Sequence, residues 1–92
     1  MKLEDYREVL DRIDRQLLAA FEERMSVCYD IAKLKKEANI AILDEVRESS
    51  KLESIEKMVE NKELTEYAIS LFKLLLELSR QYQKDFINED KI

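Results

Sequence analysis

The chain has 92 residues, enough for one domain, with 46% hydrophobic and 40% charged residues and a net charge of −5. It contains no Gly, Pro or His, and Cys28 is its single cysteine. These absences exclude tight-turned all-β folds, Gly-rich phosphate cradles, His/Cys zinc sites, an internal disulfide framework and His-activated nucleophiles, and the acidic balance excludes an ordinary nucleic-acid footprint.

The first element is a long amphipathic helix over 3–37. Its apolar stripe runs Leu3, Tyr6, Leu10, Ile13, Leu17 and Ala20, then Val27, Cys28, Ile31 and Leu34. That 3–4 spacing marks a helix face that packs on other helices. Glu4 and Asp5 suit its N-terminus, and Lys33, Lys35 and Lys36 suit its C-terminus. Asn39 stands where a left-handed helix stop is needed and Gly is missing. Cys28 lies on the stripe and reads as an inert core thiol.

Residues 38–43 form a short connection that is unusually apolar at Ile40, Ile42 and Leu43. Asp44 is a good N-cap for a second helix over 45–61, with the stripe Leu52, Ile55 and Val59 and a stop at Asn61. Thr65 is the expected cap of a third helix over 65–87. Its stripe is Ala68, Phe72, Leu75, Ser79, Tyr82, Gln83 and Phe86. Leu71, Leu74, Leu76 and Leu78 widen the apolar face, so burial on more than one side is expected. The tail from Asn88 is polar and expected to fray. No run is apolar enough to span a membrane and no secretory leader precedes the first helix, so a soluble, cytoplasmic protein is expected.

The fold class is therefore all-α, with three helices in a single domain over 1–92. A first helix of this length spans roughly 50 Å, whereas a compact chain of this size has a radius of gyration of about 12 Å. Two shorter helices cannot cover the whole stripe. A symmetric homodimer, with two long helices side by side, is the simplest remedy.

Each helix carries polar residues where its core stripe calls for apolar ones: Arg24 and Lys35, then Glu48, then Ser79 and Gln83. At about 100° per residue, Arg24 and Lys35 point within about 20° of each other and lie about 16 Å apart. Arg7 points roughly 80–100° away from both, so it could serve only a partner's site. Arg47 adjoins Glu48, just after the apolar connection. Arg7, Arg24, Lys35 and Arg47 against Asp44 and Glu48 make a net positive group in an acidic protein. Such a pocket fits a small dianion, with arginine forks on carboxylates and Glu48 as acceptor for a hydroxyl. Taken singly, a cation on a stripe can snorkel and a core Ser or Gln can be satisfied locally. Five interruptions on three helices favour a pocket.

In order and spacing, Arg7, Ile13-Asp14, Glu23-Arg24, Lys35, the Asp44-x-x-Arg47-Glu48 segment and Ser79-x-x-x-Gln83 make the chain resemble the all-helical chorismate mutases from about Leu3 to Phe86. The resemblance implies an intertwined homodimer, a six-helix bundle with two shared sites, that rearranges chorismate to prephenate in aromatic amino-acid biosynthesis without metal or cofactor. It implies that Arg24 and the other chain's Arg7 hold the two carboxylates. It further implies that Lys35 and Gln83 donate to the ether oxygen and Glu48 accepts from the ring hydroxyl. Asp44, Arg47 and Ser79 would line and support the pocket, and Lys35, Gln83, Arg24 and Glu48 would carry catalysis. Members of that family often carry Pro in the loop before the Asp-x-x-Arg-Glu segment, where this chain has Ala41. Isochorismate-pyruvate lyase activity on the same fold, or a non-catalytic regulatory or designed helical dimer, are the competing readings.

Overall fold

The computed structural model describes residues 1–89, which form three α-helices and one short 3-10 turn. Helix α1 runs Leu3–Glu37, α2 runs Glu45–Met58 and α3 runs Thr65–Glu89, with the 3-10 turn at Lys62–Leu64. Among the described residues there is no strand. No helix among them is long and apolar enough to cross a membrane. The sequence-based expectation of an all-α chain with a long first helix is met.

The local signals explain most of the boundaries. The Asp5 carboxylate accepts from the Lys2 backbone N–H at 2.8 Å and so closes the start of α1. At its end, Asn39 adopts φ 58°, the left-handed geometry expected of it. The Asn39 N–H then donates to Lys36 O and the Ile40 N–H to Lys35 O, at 3.2 and 2.8 Å, which closes a Schellman motif without glycine. Asp44 caps α2, accepting from the Arg47 N–H at 2.9 Å.

Two boundaries differ from expectation. Helix α2 stops at Met58, three residues before Asn61, because Val59 is already extended (φ −64°, ψ 119°). Asn61 does not end α2; it caps the following 3-10 turn by accepting from the Glu63 N–H. That turn runs straight into α3, so Thr65 is itself helical and its N–H donates to Lys62 O. It is not a cap. Helix α3 extends through Glu89, past the expected end at residue 87, and Asn88 is helical. Residues 90–92 of the expected frayed tail lie outside the described residues.

Helix α3 is the central element and meets both α1 and α2. It runs parallel to the second half of α1. Arg24 reaches Leu75 and Ser79, the Cys28 carbonyl meets Gln83, and Tyr29 stacks against Phe86 at 4.1 Å between ring centroids. It runs antiparallel to α2, whose first turn meets Arg80. The Leu52, Ile55 and Val59 stripe faces inward as expected, with Ile55 buried.

The first half of α1 has no such cover. Residues 1–20 are all exposed, including Leu3, Tyr6, Leu10, Ile13 and Leu17 of the stripe. On α3, Leu71, Leu74 and Leu78 are exposed as well, so within one chain that helix is not buried on the side those leucines widen. Among the described residues the buried apolar side chains are Ala32 and Ile55. The chain is long and thin, 54 × 29 × 14 Å, with a radius of gyration of 16.6 Å. A compact chain of this length would have about 12 Å.

Candidate active site

One cavity of about 680 Å³ opens between the second half of α1, the start of α2 and the second half of α3. Its α1 wall is Ala20, Arg24, Val27, Cys28, Ile31 and Lys35, the helix's own 3–4 stripe with its two cations included, together with Glu23 beside it. Seven of the eight substrate-contacting residues expected from the sequence line it: Arg24, Lys35, Asp44, Arg47, Glu48, Ser79 and Gln83. Arg7 does not. It lies on the exposed first half of α1 and pairs with Glu4 at 3.0 Å, one turn away.

The polar interruptions on α3 are held by α1. Ser79 is buried and its hydroxyl donates to Leu75 O at 2.7 Å, a bond to the preceding turn of its own helix. The same oxygen accepts a hydrogen bond from Arg24 Nη1, which also reaches Leu75 O at 3.5 Å. Ser79 thereby fixes the base of the Arg24 guanidinium. Gln83 is 6% exposed, and its Nε2 donates to Cys28 O at 2.9 Å. One amide N–H is spent on this anchor and a second remains available.

Lys35 is tied in the same manner. Its Nζ donates to Ile42 O at 2.9 Å, so the ammonium spans from the end of α1 to the apolar connection. Two of its three N–H groups are left for another acceptor. This bond, together with the Asn39 stop, orders the segment that carries Ala41 in place of a rigid proline. Asp44 is occupied as the α2 cap, so its part in the cavity is to set the start of the helix that presents Arg47 and Glu48.

Two cavity-lining cations are absent from the sequence-based set, Lys51 and Arg80. Arg80 Nε lies 2.9 Å from Glu48 Oε2 and joins α2 to α3. Its position was legible in part: Arg80 follows Ser79 and precedes Gln83 by three residues, which shares a helix face. Lys51 likewise stands three residues after Glu48. Neither interrupts an apolar stripe, which is why the stripe criterion passes over them.

The lining contains five cations, Arg24, Lys35, Arg47, Lys51 and Arg80, against three anions, Glu23, Asp44 and Glu48. The net of +2 sits in a chain whose total is −5. A cavity with guanidinium, ammonium and amide donors that outnumber its carboxylates can clamp a dianion and stabilise negative charge that develops on an oxygen. No histidine exists to serve as a general base, and the lining thiol, Cys28, is half-buried on the α1 stripe.

Comparison with known proteins agrees with this chemistry. Residues 6–84 match the family described as chorismate mutase type II. The chain is similar to a chorismate mutase of Methanocaldococcus jannaschii, at 32% identity over 89 residues, covering 96% of this chain and 90% of that protein. It is also similar to a bifunctional chorismate mutase/prephenate dehydratase of Buchnera aphidicola, at 30% identity over 92 residues, where it spans 24% of that longer protein. A shorter match covers half of the chain, at 44% identity over 46 residues, and 15% of a 3-dehydroquinate dehydratase of Pyrobaculum aerophilum. No solved structure gives a significant match. With its family match running through all three helices and a relative similar end to end, this chain belongs to the chorismate mutase type II family.

Proposed function

We propose that this protein rearranges chorismate to prephenate in the cavity between α1, α2 and α3. The reaction is intramolecular and pericyclic: a C–O bond breaks as a C–C bond forms, with no group lost. It needs the substrate held in a folded, reactive conformer and negative charge stabilised on the ether oxygen. The observation that carries the reading is the convergence of Arg24, Lys35, Glu48 and Gln83 from three helices on one cavity of net positive charge.

In this reading Arg24, steadied by Ser79, takes one carboxylate of the substrate. Lys35 and Gln83 use their remaining N–H groups on the ether oxygen, where charge develops. Glu48 accepts from the ring hydroxyl. Arg47 adds positive charge at the start of α2. Because Arg24, Lys35 and Gln83 are already anchored, little reorganisation of these donors is needed when charge develops.

We further propose that the working unit is a homodimer in which the first halves of two α1 helices cover each other, giving a six-helix bundle of two single-domain chains. The uncovered Leu3, Tyr6, Leu10, Ile13 and Leu17 stripe and the outer leucines of α3 support this. So does Arg7, which sits on that half of α1, outside its own chain's cavity, where it could reach a second copy's cavity and hold the other carboxylate.

The direct test is to incubate the protein with chorismate, and in parallel with isochorismate, and identify the products. Prephenate is the expected outcome. Salicylate with pyruvate from isochorismate would select the lyase reading, and no turnover by a folded dimer would select a non-catalytic module.

A further inference from the structure

We infer that Arg80 is a positioning residue that acts through Glu48, cancelling the carboxylate's charge so that a dianion can bind beside it; the inference rests on the site reading above. Glu48 poses a physical problem in that reading. A carboxylate that accepts from the hydroxyl of a substrate bearing two carboxylates places a further negative charge beside them, and like charges at close range repel. Arg80 answers it from α3. Its Nε lies 2.9 Å from Glu48 Oε2, and the two side chains are 30% and 22% exposed, so the pair is poorly screened by solvent.

The geometry of the pair is specific in a second respect. Arg80 Nε is buried and has no hydrogen-bond partner, although the Glu48 oxygen is close to it. The N–H is not aimed along the contact. The two groups are thus held together as neighbouring charges and not as a locked fork, which leaves Glu48 Oε1 to accept from a hydroxyl. Charge bookkeeping gives the same answer. The lining that this chain supplies is net +2 with Arg80 and +1 without it.

The roles of charge compensation and of simple helix pairing are separable. Compensation acts on the bound dianion, so Arg80→Met should raise KM about tenfold with a smaller change in kcat. A loss of folded protein would instead lower the apparent kcat and leave KM alone. Arg80→Lys should restore much of the lost affinity, because it returns the charge without the fork.

The deciding experiment is a double-mutant cycle with Glu48→Gln, with kcat and KM measured for both single variants and the pair, and thermal unfolding followed for each. The expected result is a KM effect of Arg80→Met that shrinks to less than about twofold once Glu48 is neutral. Equal effects in both backgrounds, or no effect of Arg80→Met on KM, would overturn the inference while leaving the site reading standing. A folded Glu48→Gln variant with the parent's kinetics would overturn both.

Discussion

Lys35 Nζ donates to Ile42 O at 2.9 Å, joining the last turn of α1 to the connection that precedes α2. The same ammonium faces the cavity with two N–H groups to spare, so one side chain both orders the connection and supplies a donor. Lys35→Ala should lower kcat by about a hundredfold, the usual loss for a donor aimed at developing charge. Lys35→Arg keeps the charge but cannot fit both partners with a planar fork, and should recover only part of the rate. Steady-state kinetics on chorismate check this. Parent-like kcat in Lys35→Ala would remove the residue from the mechanism.

Gln83 offers a cleaner separation of fold from chemistry. Its amide anchors to Cys28 O, and a single neutral hydrogen bond contributes about 0.5–1.5 kcal/mol to stability. Gln83→Leu is close in volume and should shift the melting temperature by less than about 10 °C. The rate should fall far more, by about a hundredfold in kcat, because the proposed donor to the ether oxygen is lost. Thermal melts and kinetics on the same samples give both numbers.

Arg7 and Arg24 provide a test of the shared site. Each alanine variant alone should be nearly inactive. Mixed after unfolding, the two should exchange chains and regain up to about a quarter of the parent activity, since half of the random dimers are mixed and each of these has one intact site of two. No recovery, with exchange verified by mass, would place both arginines in the same chain's site.

Leu10 tests the interface itself. It is exposed in the single chain, on the uncovered stripe of α1. Sedimentation should give twice the 11.0 kDa chain mass for the parent. Leu10→Asp would set a charge on a face meant for burial, and should abolish both the dimer and most of the helical signal. An active monomer would refute the dimer proposal.

Much of this architecture was readable from periodicity and chemistry. The α1 stripe, the Asn39 stop and the Asp44 cap rest on local rules, and the local rules held. The convergence of Arg24, Lys35, Glu48, Ser79 and Gln83 was readable because each breaks an apolar stripe, and a break on a packed face must point at something. Helix α2 ended early because Val59 turns extended, and with Asn61 capping a new turn the chain redirects without Gly or Pro. No local rule distinguishes that from two more helical residues. Arg80 and Lys51 sit at positions where charge is ordinary, so only the approach of α2 to α3, a non-local event, shows that they face the cavity. Leu71, Leu74 and Leu78 looked buried from their spacing, and one chain alone provides nothing to cover them.

The exposed run from residue 1 to residue 20 also sets how this protein should respond to dilution. In the proposed dimer, a chain whose buried apolar side chains are Ala32 and Ile55 would gain most of its core from the second copy, so folding and association would become one equilibrium. Its melting temperature should then climb with protein concentration. Specific activity should drop once the protomer is diluted below the dissociation constant, in step with the loss of helix. The enzyme's abundance would in this way set the fraction of it that works.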